Sequence, residues 1–144
     1  MSPAPASPAC RVLEKEVELR PGDIDSAGHL NHVAMVGLFE HARVGAHHQR
    51  RQEVELPDCA TVVRRLTVDY HGQARVFELM TVRSWILRDG GSSRTWQQEL
   101  VGDDGRLVAR AEVVSVWVDV ESGRPRRLPE FYREAFAEYR QPEG

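Results

Sequence analysis

Between residues 11 and 20, Leu13, Val17 and Leu19, with Lys15 in the same phase, alternate with Glu14, Glu16 and Glu18. A period of two predicts a β-strand with one mostly apolar face and one acidic face. Pro21-Gly22 ends it. After a polar stretch, 23–31, the period lengthens. The run Val33-Ala34-Met35-Val36-Gly37-Leu38-Phe39 continues through Ala42, Val44 and Ala46 to His48, and predicts one helix over 31–48. Asn31 suits its N-cap, because the side-chain oxygen can accept from a first-turn N–H that has no partner inside the helix. Apolar residues surround nearly the whole circumference of the first two turns, so this helix is expected to be buried on most sides. Gly37 within it costs about 1 kcal/mol of helix propensity against Ala. Close approach of a strand or a substrate chain is the expected compensation.

The second half changes period. Val62, Arg64, Leu66, Val68 and Tyr70 alternate with more polar neighbours, and Phe77, Leu79, Thr81, Arg83, Trp85 and Leu87 do so less cleanly. Arg88-Asp89-Gly90-Gly91 predicts a hairpin turn, followed by a strand over 92–101. Gly102-Asp103-Asp104-Gly105 predicts a second turn, and the β-branched, aromatic stretch 106–119 a further strand closed by Ser122-Gly123-Arg124-Pro125. Phe131, Tyr132, Ala135, Phe136 and Tyr139 recur at helical spacing, which predicts a terminal helix over 129–139. The order is strand, loop, long helix, then four strands. An antiparallel sheet of about five strands wrapped round the helix, an α+β fold, buries both economically.

Composition narrows the function. A chain of 144 residues makes one domain, and one of this length buries roughly 70% of its unfolded surface without a metal or a disulfide. Net charge is -3 and no basic block exists, which argues against a nucleic-acid partner. The two cysteines, Cys10 and Cys59, have neither CxxC nor zinc-finger spacing. Residues 1–10, with three prolines, read as a disordered leader, and 11–140 as the single domain. The leader has no charged n-region or apolar core of a signal peptide. No segment approaches the ~18 apolar residues of a membrane span. A cytoplasmic protein without a membrane partner is expected.

The candidate chemistry lies where the first strand gives way to the helix. Arg20-Pro21-Gly22-Asp23-Ile24-Asp25-Ser26-Ala27-Gly28-His29-Leu30-Asn31-His32, with Glu40-His41-Ala42-Arg43 downstream, resembles the 4-hydroxybenzoyl-CoA and acyl-CoA thioesterase branch of the hotdog superfamily. The shared pattern is Asp-x-Asp-x-x-Gly-His-Val/Leu-Asn entering the central helix, then Glu-x-Ala-Arg. The strand–helix–four-strand order agrees over most of 11–120, and 62–74 resembles the family's second strand. The resemblance implies hydrolysis of an acyl-CoA or acyl-carrier-protein thioester to free acid and thiol, with no cofactor. It implies a homodimer with a continuous sheet, often paired into a homotetramer, and a site between protomers.

Thioester hydrolysis needs a nucleophile or a base for water, and donors for the developing oxyanion. By resemblance Asp25 is the catalytic carboxylate, attacking the carbonyl or deprotonating water. The oxyanion donor falls at the helix start, where first-turn N–H groups lack partners and the dipole favours negative charge. The family's backbone donor, seven residues after the Asp, is His32, whose imidazole also assists in one branch. His29 and Asn31 occupy the family's histidine and asparagine, Asn31 positioning the attacking group. Gly28 is assigned to substrate binding. Arg64 and Arg65, with Arg75, are the candidate contacts for CoA phosphates, for which a guanidinium is well shaped, and their competing reading is as ordinary outer-face residues of strands.

Simpler roles compete. Asp23 is read as a turn residue after Pro21-Gly22, supporting the site from behind. Asp23 and Asp25 with His29 and His32 make an incomplete ligand set, so no metal is assigned. Glu40 is the catalytic group in another hotdog branch, but here it is expected to support the fold by pairing with Arg43 or a sheet arginine. His41, His47 and His48 read as a solvated helix end, and Trp85, Trp96 and Trp117 as packing residues. Two other functions remain open: an enoyl-thioester hydratase or dehydratase, whose Gly-Asp-x-Asn-Pro-x-His order is absent, and a non-catalytic acyl-thioester-binding protein.

Overall fold

The structure, a computed structural model, describes residues 2–143. Its strands are β1 (Leu13–Glu18), β2 (Thr61–Tyr70), β3 (Leu79–Asp89), β4 (Ser93–Gly102) and β5 (Leu107–Trp117). They form one antiparallel sheet in the order β1-β3-β4-β5-β2. The helix α1 (His32–Glu53) connects β1 to β2, and the short α2 (Glu130–Ala135) follows β5. The expected architecture is present with shifted boundaries. The terminal helix shrinks to α2 plus a 3-10 turn, Ala137–Tyr139, because the chain leaves helical geometry at Phe136 (φ -116, ψ 12). No helix among the described residues is long and apolar enough to cross a membrane.

Alternation in the sheet sends Val82, Ser84 and Ile86 of β3, Trp96, Gln98 and Leu100 of β4, and Ala109, Ala111 and Val113 of β5 to one buried face. Met35, Phe39, Ala42 and Ala46 of α1 are buried in the same core. These positions follow i, i+4, i+7 and i+11, one stripe of an α-helix. Burying side chains of the Met and Phe type contributes roughly 1.5–3 kcal/mol each.

The expectation of a helix buried on most sides is corrected: Val33 is 68% and Val44 61% exposed. One sheet covers one face of a helix, and the remaining apolar residues stand clear of it within a single chain. Among the described residues no strand makes the close approach expected at Gly37, where a Cβ would meet nothing within 4 Å, which leaves a substrate chain as the expected compensation.

At the centre of the buried layer, Gln98 ties helix to sheet. Its amide donates to Phe39 O (3.0 Å) and Ser84 Oγ (2.9 Å), and its oxygen accepts from Arg43 Nη1 (2.8 Å). On the opposite sheet face, the fully buried Glu99 carboxylate accepts from Arg83 Nη1 (2.7 Å), Arg110 Nη2 (2.8 Å) and the Ala6 N–H (2.8 Å). Residues 2–10 form no helix or strand, yet they lie against the sheet. Arg83 and Arg110 donate to the carbonyls of Ala6 and Ala4, and Ser2 Oγ donates to His71 O (2.6 Å). This differs from the leader expected to have nothing to bury: its backbone shields an ion cluster that would otherwise face water.

Candidate active site

The segment between β1 and α1 is a small closed loop. Asn31 N–H donates to Asp23 O (2.8 Å), Asp25 N–H to His29 O (2.9 Å), and Gly28 N–H to Asp25 O (3.0 Å). The turn requires a left-handed residue, supplied by Gly28 at φ +83, a conformation an L side chain rarely adopts. Gly28 therefore shapes the loop, and it is not among the residues lining the adjoining cleft. Asp23 closes the 3-10 turn Pro21–Asp23, its carboxylate accepting from the Arg20 N–H (2.9 Å).

Asp25 is exposed, and its Oδ1 accepts from the N–H groups of Ala27 (2.9 Å) and His29 (3.2 Å). These bonds hold the carboxylate in one orientation. Its Oδ2 has no protein partner among the described residues. Asn31 caps α1, with Oδ1 accepting from Val33 (2.8 Å) and Ala34 (3.4 Å) N–H, while Met35 N–H donates to Asn31 O (2.9 Å). Three first-turn donors are thereby satisfied. The His32 N–H, at the first helical position, has no protein acceptor among the described residues. Asp25, His29, His32 and Met35 line one side of a cleft of about 280 Å³, and Tyr70, Gly72, Gln73 and Ala74 line the other. The segment 72–74 was missed as a wall of the site. The only signal for it was its place at the end of the stretch resembling the family's second strand.

Other candidates lie elsewhere. Arg64 and Arg65 sit exposed on β2, at an irregularity in its pairing with β5, and neither lines the cleft around Asp25. Arg75 is exposed in the loop beyond Ala74. Glu40 is exposed and forms neither expected ion pair among the described residues, because Arg43 turns to the neutral amide of Gln98 instead.

His47 also departs from its expected place. It is half-buried, with Nδ1 2.8 Å from Arg43 O and Nε2 2.7 Å from Tyr132 Oη. A carbonyl only accepts, so Nδ1 carries the proton and Nε2 accepts from the tyrosine hydroxyl. Burial pushes the His47 pKa down, and the positive charges of Arg94, Arg51 and Arg43 push the same way, against the bond to Arg43 O. Burial likewise pushes Tyr132 up to about 12. With the folded pKa of His47 depressed, the unfolded chain takes up the proton first as pH falls. The linked stability is present above the unfolded value, about 6.5, and is lost as pH falls below it. Urea unfolding of the parent and of His47→Gln at pH 7.5 and 5.5 checks this. The loss on acidification is expected to be smaller in His47→Gln, and equal losses would show that His47 is not its source.

A helix laid on a curled antiparallel sheet, with a carboxylate loop at the helix N-terminus, defines the hotdog class of thioester-handling enzymes. A sequence profile of the thioesterase-like superfamily matches residues 19–136, and the chain belongs to that family. The acyl-CoA thioester hydrolase YbgC of Escherichia coli O157:H7 is 32% identical over 122 residues, covering 83% of this chain and 89% of that protein. A protein described as a predicted thioesterase from Bacillus stearothermophilus superposes with a TM-score of 0.81 at 25% identity, over 93% of this chain and all of that one. A thioesterase from Thermus thermophilus, solved with coenzyme A and Zn, does so with a TM-score of 0.75 at 29% identity, over 85% and 90% of the two chains. The protein is an acyl thioesterase, a thioester hydrolase.

Proposed function

We propose that Asp25 and the His32 N–H carry out this hydrolysis, on an acyl-CoA thioester. The observation that carries the assignment is that Asp25 Oδ2 and the His32 N–H, both without a protein partner among the described residues, belong to residues lining one cleft. In this reading the thioester carbonyl sits between them. Asp25 either attacks the carbonyl carbon or takes a proton from the attacking water. The carbonyl oxygen, becoming an oxyanion, accepts from His32 N–H at the positive end of α1. The carbon–sulfur bond breaks, the thiolate leaves and takes up a proton, and water supplies the hydroxyl of the free acid. Asn31 holds the first turn open to substrate by occupying the neighbouring donors, and His29 holds Asp25 through its N–H.

The test is thiol release over a panel of acyl-CoA substrates by two variants. His32→Pro deletes the donor at low cost to the helix, because proline is tolerated at the first helical position and Asn31 is already extended (φ -64, ψ 132). A loss of about 10²–10³-fold in kcat is expected, the usual effect of removing one oxyanion donor. His32→Ala keeps the N–H and is expected to retain most activity. Equal losses in both would give the role to the imidazole and overturn the backbone assignment.

The site is further proposed to act in a homodimer. β2 is an edge strand, and Val62, Val63, Leu66 and Tyr70 on it are exposed. Unpaired edges with apolar side chains favour pairing with a second copy. Sedimentation as a monomer at assay concentrations would remove this part of the proposal.

A further inference from the structure

The second half of α1 and the start of β2 enclose another cleft, of about 530 Å³. It does not share residues with the cleft at Asp25. Val44, Val63 and Trp96 form its apolar wall, and Arg43 and Arg51 its cationic one. In the single chain Val44 and Val63 are 61% and 51% exposed, and Val63 belongs to the β2 edge proposed above to pair with a second copy.

Arg43 is the unusual member. Its guanidinium is half-buried, and its one side-chain bond is to the neutral Gln98 oxygen. No carboxylate among the described residues forms an ion pair with it. Burial pushes its pKa down, and the charge of Glu40 only partly opposes this. A guanidinium removed from water without an anionic partner is a costly arrangement, relieved when an anion arrives. Among the described residues the one carboxylate paired with Arg51 is that of the fully exposed Asp58, at 3.8 Å. Glu40 is the one carboxylate on the wall, so the lining holds two guanidinia against one acid. His47 lines the same cleft, and burial, joined by the charges of Arg94, Arg51 and Arg43, holds its pKa below the usual histidine value.

We propose that this cleft binds an amphipathic carboxylate, with its apolar body against Val44, Val63 and Trp96 and its carboxylate on Arg43 and Arg51. The planar fork of a guanidinium matches a carboxylate in a bidentate pair. Two sources share this chemistry. One is a free acid, the product class of thioester hydrolysis. The other is the far-end carboxylate of a dicarboxylic acyl thioester. Arg43 lies eleven residues beyond His32, about 16 Å along the helix, a span that a ten-carbon chain and the arginine side chain cover together. The second source rests on the active-site assignment above, and the first does not.

Calorimetric titration at pH 8 with decanoate and with its neutral counterpart decanamide tests the site directly. Decanoate is expected to bind at least about tenfold more tightly. That preference is expected to fall to within about twofold in Arg43→Gln and to survive in Arg43→Lys. Arg51→Gln, an exposed position with little bearing on folding, is expected to weaken it by several-fold. Asp25→Asn is expected to bind decanoate like the parent, so a failure of the hydrolytic assignment reads out separately. Comparing sebacoyl-CoA with decanoyl-CoA then separates the sources. A ratio of their kcat/KM values that falls in Arg43→Gln places the acyl end of the substrate here, and an unchanged ratio leaves the free acid. Equal binding of decanoate and decanamide by the parent overturns the proposal, as does a preference that persists in both Arg43→Gln and Arg51→Gln.

Discussion

Asp25→Asn is expected to lower kcat for thiol release by about 10²–10⁴-fold, the range that a positioned carboxylate base contributes. The substitution is chosen for its geometry. The amide oxygen can still accept from the Ala27 and His29 N–H groups that hold Asp25 Oδ1, so the loop between β1 and α1 keeps its shape. What changes is the other atom: Oδ2, the oxygen with no protein partner among the described residues, becomes an amide nitrogen that can neither attack a carbonyl nor take a proton from water. KM is expected to move little, and the unfolding midpoint to stay where it is. Asp25→Ala is a less clean comparison, because it strips both N–H groups of their acceptor and mixes loop distortion with lost chemistry. Full turnover of a good acyl-CoA substrate by Asp25→Asn would end the assignment.

The largest expected loss of stability lies at the other end of the molecule. Asp89 and Arg94 form a bidentate pair, Nε to Oδ1 at 2.7 Å and Nη2 to Oδ2 at 3.0 Å, with side chains 2% and 1% exposed. Arg94 also donates to Tyr132 O (3.3 Å), and its guanidinium lies 4.0 Å from the Tyr132 ring centre. The pair thus fastens α2 to the β3–β4 hairpin. Asp89→Ala leaves a buried guanidinium without its anion, while Nη1 already lacks a partner among the described residues. A loss of roughly 3–5 kcal/mol is expected, typical of breaking a buried pair from one side. Replacing both residues, Asp89→Leu with Arg94→Met, is expected to recover much of that loss, because no uncompensated charge remains. Urea unfolding with an unchanged m-value measures both. A loss below about 1 kcal/mol in Asp89→Ala would mean that the Tyr132 and Phe136 rings packed on the Arg94 guanidinium carry this joint without the ion pair.

Much of the fold was legible because it depends on local periodicity. The two-residue alternation of 13–18 and the Asp89-Gly90-Gly91 turn each report on neighbours along the chain. Boundaries were less legible. α1 runs to Glu53 rather than His48 because Arg50 turns back to the Ala135 carbonyl and to Glu53, contacts the helical period does not encode. The polar neighbours His48, Gln49 and Arg50 give His47 the pattern of a solvated residue, while its partner Tyr132 lies 85 residues away.

The opening strand, the helix start at Asn31 and the placing of Asp25 just before a helix N-terminus were determined by the sequence alone. Capping, strand alternation and helical phase act over a few residues, where residue type settles the outcome. Only the tertiary structure decided which stripe of α1 meets the sheet, that Tyr70 and residues 72–74 face Asp25 across a cleft, and that Arg43 bonds Gln98 rather than Glu40. Those outcomes depend on packing between segments distant in the chain, and nothing in the local residue pattern specifies which surfaces meet.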